Sequence, residues 1–305
     1  METLRIIVPA YNESGCIKPF YDAVEPYLKR EGIKSTYLFV DDGSKDSTLE
    51  EIKELRKNDS RVNYISFSRN SGKEAAMYAG LKASINQDMA IIIDADLQHP
   101  PYLIKDMIDK HLEGYKIVYT KQSSRKNEGF FRKTWAKLFY SFFNKHADVP
   151  MEQSTKDFML IDKDVIKAFL DMPDEYRFTK GILSFVGFKR YPLEFEYVDR
   201  TIGKSKWNFK KLLKYGVSGL NQFSDIFKVV PVTVSIISFL VAIASVFLFV
   251  FNVVNLGVFL ILLITSLLFM FTNITLYFVL YVLYSTRREV LKRPIYFIEE
   301  TSLDE

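Results

Sequence analysis

The sequence predicts an α/β domain with a Rossmann-like open sheet, followed by a two-helix transmembrane hairpin. Three observations carry that prediction: short apolar runs alternate with segments of helical period, polar or acidic clusters stand directly after three of those runs, and a long uncharged stretch lies near the C-terminus.

The apolar runs fall at residues 4–8, 37–40, 62–67, 89–93 and 116–119. Most lack polar alternation, as central strands covered on both faces should. In an open α/β sheet ligands sit beyond the carboxyl ends of the strands, so the residues just after each run are the ones to examine. The first run leads into Pro9, Ala10, Tyr11, Asn12 and Glu13, and the second into Asp41, Asp42, Gly43, Ser44 and Lys45. The fourth leads into Asp94, Ala95, Asp96, Leu97 and Gln98. Taken singly these are ordinary: Asn12, Asp46 and Ser47 suit helix caps, and Gly43 suits a turn. Their shared placement at one edge points to a site.

Residues 229–286 contain no Asp, Glu, Lys or Arg, whereas the preceding chain is charged at globular density. As one helix this stretch would run roughly 87 Å at about 1.5 Å per residue, nearly three times the ~30 Å hydrocarbon thickness. Two spans fit, near residues 231–251 and 258–284, with a turn at Asn252 to Gly257. Lys210, Lys211, Lys214 and Lys228 precede them and Arg287, Arg288, Lys292 and Arg293 follow, which places both flanks in the cytoplasm. Before the spans, residues 204–228 carry Phe209, Leu213, Val217, Leu220, Phe223 and Phe227 near helical spacing among lysines, an amphipathic helix on the membrane surface. The expected organisation is a cytoplasmic domain over 1–203, a juxtamembrane helix over 204–228, two spans within 229–286, and a cytoplasmic tail over 287–305. The acidic end from Glu299 is expected to be solvated.

The N-terminus enters a strand-like run directly, with no cleavable signal expected. The single cysteine, Cys16, excludes a disulfide framework and suits a reduced compartment. A net charge of +4, spread along the chain, makes nucleic acid an unexpected partner.

A strand ending in Asp-x-Asp can place one carboxylate on a divalent ion and the other on a sugar hydroxyl. Mg²⁺ or Mn²⁺ takes one or two carboxylates plus substrate phosphates, so a nucleotide diphosphate is the natural remaining ligand. Asp96 with Gln98 is the candidate metal pair, and Asp94 serves the nucleotide sugar. No Gly-rich phosphate loop is present, which disfavours an ATPase or a dehydrogenase. His99, His111 and His146 lie in helical surface patterns and offer no Ser-His-Asp set; His99 is assigned a surface or outer role. Arg132 and Lys137, on a helix starting near Gly129, are candidates for holding a lipid phosphate.

The segments VPAYNE, VDDGSKDST, SRNSGKEAAMYAGL, IDADLQHPP, DFMLIDKDV, FTKGILSFVGF and RTIGKSK, followed by two spans and RRxxxKRPxY, together resemble the polyprenyl-phosphate glycosyltransferases of glycosyltransferase family 2. The similarity covers essentially the whole chain, is nearest to the bacterial subgroup that glycosylates undecaprenyl phosphate, and extends more distantly to dolichyl-phosphate mannose synthase. It implies a GT-A type fold and an inverting hexosyltransferase that moves one sugar, glucose or N-acetylglucosamine, from a UDP-sugar to polyprenyl phosphate, making a lipid-linked donor for cell-envelope glycans. It implies that Pro9, Tyr11 and Glu13, with Val40 and Asp42, hold the nucleoside, and that Asp94, Ala95, Asp96 and Gln98 form the metal and diphosphate segment. Arg125 then lies near the donor, Arg200 and Lys206 close over the diphosphate, and Asp157 activates or orients the acceptor.

The sequence departs from the family pattern at Ser154, Thr155 and Lys156, where relatives carry Gly before the Asp, which bears on the acceptor pocket. A Gln-x-x-Arg-Trp element of processive synthases is missing, so single transfer is favoured over chain growth. The rival readings are a non-catalytic membrane scaffold of a glycosylation complex and a processive synthase. A homo-oligomer is compatible with the sequence.

Overall fold

A computed structural model of the chain describes residues 1–122, 155–172, 178–195 and 293–303, together with residues 274–283 and isolated positions between 261 and 290. The first half alternates strand and helix: β1 (Glu2–Ala10), α1 (Ile17–Leu28), β2 (Ile33–Asp41), α2 (Thr48–Asn58), β3 (Val62–Phe67), α3 (Lys73–Lys82), β4 (Met89–Ile92), α4 (Leu103–Leu112) and β5 (Ile117–Gln122). Then come β6 (Thr155–Asp162), α5 (Lys163–Asp171), α6 (Thr179–Phe185), β7 (Arg190–Phe195) and β8 (Ile298–Thr301). Every apolar run read as a strand is one, and β1 and β2 extend beyond their runs.

Among the described residues the strands form one eight-stranded sheet in the order β7-β5-β6-β4-β1-β2-β3-β8. The neighbours β4, β1, β2 and β3 are parallel, as helical crossovers require. The chain steps outward from β1 to β3 and then returns to the other side of β1 with β4. That reversal opens a crevice at the carboxyl ends of β1 and β4, the usual ligand position in such sheets. The sheet is mixed, because β6 runs antiparallel between β4 and β5 while β7 lies parallel to β5.

Both faces are covered, which explains the missing polar alternation. Leu4, Ile6 and Val8 face Phe20, Val24, Ile104 and Met107 of α1 and α4 in one core cluster. Ile7 and Val40 face Ala75, Ala76 and Ala79 of α3 and Phe169 of α5 in the other. The small residues of α3 let it lie close on the sheet, and a Cβ at Gly80 would stand 2.3 Å from Ile7 Cγ2. This close seat sets the height at which the first residue of α3, Lys73, reaches the strand edge.

The acidic C-terminal end, expected to be solvated, is largely exposed but is also ordered as β8, paired antiparallel with β3. Tyr296 stacks on Phe67 with ring centroids 4.6 Å apart, Lys53 pairs with Glu300 at 2.7 Å, and the Ser302 hydroxyl accepts the Tyr64 amide at 2.8 Å. The physical reason is the outer edge of β3, whose open backbone groups and apolar Phe67 favour a partner strand. The Glu299 and Glu300 carboxylates do not oppose this, since one of them meets Lys53.

Among the described residues no helix is long and apolar enough to cross a membrane. The expected surface helix over 204–228, the first span and much of the second lie outside them. Where the second span is described, residues 274–283 are helical and expose Leu276, Tyr277, Leu280 and Leu283.

Candidate active site

The loops after β1, β2 and β3 are laced to one another. Asn12, at φ 51°, donates its amide to Ser44 Oγ and accepts the Lys45 amide on Oδ1 at 2.8 Å. The Glu13 amide donates to Thr48 Oγ1 at 2.8 Å, and the Asp42 amide donates to the Ala10 carbonyl at 2.8 Å. Asp42 then accepts the amides of Ser71 and Gly72 at 2.6 and 2.9 Å and the Asn70 side-chain amide at 2.9 Å. Gly43 cannot be replaced in this arrangement: it has φ 66°, and a Cβ there would stand 2.6 Å from the Arg69 carbonyl carbon. Burial pushes the Asp42 carboxyl up to about 6, against the pull of the Ser71 and Gly72 amides.

The residues assigned to the nucleoside lie on this frame. Pro9 and Val40 are register partners at adjacent strand ends, both buried. Val40 packs into the core and is fully buried, between register partners Pro9 and Ile65. Tyr11 and Glu13 are half-buried at the mouth. The Asp42 oxygens are occupied by the β3–α3 loop, which makes this residue the organiser of that loop.

Next to this frame, the end of β4 carries charge. Ala95 and Asp96 are buried, Gln98 is half-buried, and Asp96 Oδ1 accepts the Gln98 amide at 3.1 Å. Between them Leu97 sits at φ 55°, a strained conformation for a branched side chain and of the kind found at ligand sites. Asp94 meets the Lys73 ammonium at 2.6 Å, and the same ammonium meets Asp157 at 2.5 Å. Lys180 approaches the other oxygen of Asp157 at 3.0 Å and donates to the Thr155 carbonyl at 3.0 Å. Asp157 reaches this place because β6 runs antiparallel beside β4, which brings the start of β6 to the carboxyl end of β4.

Burial raises the Asp94 carboxyl, but Lys73 and a hydrogen bond from His99 outweigh it and hold the group at about 2. Burial likewise opposes ionisation of Asp157, and Lys180 with Lys73 holds it far below the usual carboxylate range. Lys73, despite burial, is held above the ordinary lysine range by Asp157 and Asp94. Both carboxylates are therefore ionised at neutral pH, and Asp157 is a poor proton acceptor.

Two participants escaped the sequence reading. Lys73 and Lys180 each stand in the first turn of a helix, where the macrodipole disfavours cations. That misplacement is a legible signal. His99, read as a neutral support behind the site or a surface residue, is 6% exposed, with its ring 5.6 Å from Phe158 and Nε2 3.7 Å from Asp94, the first of those two roles. It is buried because the turn after Asp96 folds it back over the apolar face of β6 and β7, where Phe195 also meets it. Arg125, Arg132, Lys137, Arg200 and Lys206 lie outside the described residues.

Ionised carboxylates and a strained turn at the switch point of an open sheet suit the binding of a phosphorylated ligand, and the enzyme class, a glycosyltransferase, follows from the family match. The chain matches the model of "Glycosyl transferase family 2" over residues 5–170 and belongs to that family. CsbB of Bacillus subtilis (strain 168), a glycosyltransferase by name, is 38% identical over 72% of this chain and 67% of its own. The prophage bactoprenol glucosyl transferase homolog of Escherichia coli (strain K12) is 36% identical over 72% of each chain, and the bactoprenol glucosyl transferase of Shigella phage SfV 35% over the same shares. Among solved structures, glucosyl-3-phosphoglycerate synthase from Mycobacterium tuberculosis, in complex with Mn²⁺, UDP-glucose and glycerol 3-phosphate, has a TM-score of 0.51 at 18% identity, covering 72% of this chain and 78% of that one. It shares the GT-A fold.

Proposed function

We propose that the protein transfers one glucose from UDP-glucose to a polyprenyl phosphate, with inversion at the anomeric carbon and the help of a divalent cation. The observation that carries this is the Lys73 bridge between Asp94 and Asp157, which sets a donor-side carboxylate beside the residue assigned to the acceptor. The identity to bactoprenol glucosyl transferases supports the lipid acceptor and glucose.

The donor set fits Mg²⁺ or Mn²⁺. Asp96 and Gln98 offer two hard oxygens on one tight turn, and such ions leave their other positions to substrate phosphates. When bound, the ion supplies charge for the leaving diphosphate. The laced loops of β1 and β2 give the nucleoside a preorganised floor, and His99 braces Asp94 from beneath. A phosphate monoester with a second pKa near 6 is largely dianionic at neutral pH, so the acceptor needs no strong base. Asp157, already pinned by two lysines, orients groups rather than taking a proton.

The reading also places the enzyme at a membrane, in two spans with the catalytic domain cytoplasmic. Supporting it are the uncharged stretch, the exposed apolar positions of its described helix, and β8. Because β8 joins the same sheet as β1, both flanks of the uncharged stretch are tied to one domain, which favours an even number of crossings. A cysteine introduced as Asn255→Cys should label from outside intact cells and one introduced as Asp304→Cys should not; the native Cys16 is buried and adds little background.

The deciding experiment incubates purified full-length protein with labelled nucleotide sugars, Mg²⁺ and undecaprenyl phosphate. A single lipid-linked glucose is expected from UDP-glucose. No product would favour a scaffold and polymer a processive synthase, and either would overturn the proposal.

A further inference from the structure

We infer that Lys73 and Lys180 form the receiving site for the phosphate of the acceptor, a phosphate monoester, and that Asp157 is the positioning residue that holds the two ammonium groups ready. This rests on the transfer reading above and adds the groups that meet the nucleophile.

Two ammonium groups reach one carboxylate, one at each oxygen, at 2.5 and 3.0 Å. An ammonium has three N–H groups. Lys73 directs two of them to Asp94 and Asp157, and Lys180 directs two to Asp157 and the Thr155 carbonyl, so each has a third for an incoming oxygen. Their side chains are 29% and 22% exposed, so neither lysine is fully enclosed. The pair is also held in register from behind: Glu74, next to Lys73, accepts both the amide and the hydroxyl of Thr179, next to Lys180, at 3.0 and 2.5 Å. That contact ties the start of α3 to the start of α6 and fixes where both lysines begin.

The balance of the step agrees. An oxygen of the phosphate dianion forms its bond to the anomeric carbon as the bond from that carbon to the diphosphate breaks. The electron pair leaves with the nucleoside diphosphate, and no proton has to be removed. Lys73 and Lys180 offset the charges of Asp94 and Asp157, so the dianion meets a neutral cluster with N–H groups left to bond it rather than two bare carboxylates.

The test is steady-state kinetics of the full-length enzyme with polyprenyl phosphate and nucleotide sugar varied separately. Lys180→Ala should raise KM for the lipid by roughly ten- to a hundredfold, the scale of one lost charge-assisted hydrogen bond, with the donor KM within about twofold. Lys180→Arg, which keeps the cation, should recover most of the loss, and Lys180→Gln should not; the Gln variant also serves if the Ala variant is unstable. Inorganic phosphate should compete with the lipid in wild type and less well in Lys180→Ala. A loss confined to kcat or to the donor KM, or equal recovery by Gln and Arg, would overturn the cradle while leaving the transfer reading intact. A wild type that glycosylates no lipid at all would remove both.

Discussion

Two neighbouring parts of the same sheet edge are held together in different ways. At the ends of β1, β2 and β3, side chains are bound to main-chain amides: Asn12 and Asp42 each anchor the following loop, and Thr48 the preceding one. At the ends of β4 and β6, Asp94, Lys73, Asp157 and Lys180 are bound chiefly to each other, by charge. Hydrogen bonds from main-chain amides, whose positions the backbone fixes, make a rigid floor. A cluster of ionised groups on movable side chains can exchange partners when a charged substrate arrives. The contrast separates scaffold from site, and variants can break or sharpen it.

The largest effect is expected from Asp96→Asn, which removes the carboxylate proposed to hold the cation without opening a core cavity. Transfer should fall by roughly a thousandfold, the scale of losing one strong electrostatic stabiliser, with thermal unfolding nearly unchanged. Wild-type turnover would remove the metal assignment.

Asp157→Asn should lower transfer about a hundredfold, the scale of lost positioning, by the same factor at every pH from 6 to 9. Because the folded-state pKa is depressed by Lys180 and Lys73, Asp157 stays ionised throughout that window. Its contribution to stability is present above the unfolded pKa and is lost only as pH falls below about 4. A defect that fades near pH 8, where the acceptor is fully dianionic, would instead identify a general base.

A change on the scaffold side should act on stability first. Asp42→Ala strands the amides of Ser71 and Gly72 and should lower unfolding free energy by about 2 kcal/mol, measured in urea. The sign of its pH dependence is opposite to that of Asp157. With a folded pKa raised to about 6, its ionised form is the less favoured one, so wild type should lose stability as pH rises from about 4 to 6 and Asp42→Asn should not. Equal pH profiles would place Asp42 in a wetter setting than the structure gives it.

The smallest effect sharpens the comparison by contrast. Lys57→Ala removes an exposed pair with Glu54 at 2.8 Å and should change stability by less than about 0.5 kcal/mol and transfer not at all. A clear loss there would show that charge matters across the surface and not specifically at the end of β4.

The alternating apolar runs and the polar clusters after them were legible in the sequence because β1, β2, β3 and β4 are central strands, and full burial leaves an unmistakable apolar pattern. The placement of Asp94, Asp96 and Gln98 at one strand end was legible for the same reason. What local pattern could not show was the company Asp157 keeps. Its partners come from residues 73 and 180, joined only because β6 inserts antiparallel between β4 and β5 and because α3 and α6 start side by side. The C-terminal end is the same case: read alone, its acidic residues suit solvent, and only the open edge of β3 makes them a strand. Sequence determined the elements and the chemistry each one carries, through burial and short-range geometry. Tertiary structure decided which charges meet, because those meetings depend on strand order and direction, which no stretch of the chain encodes by itself.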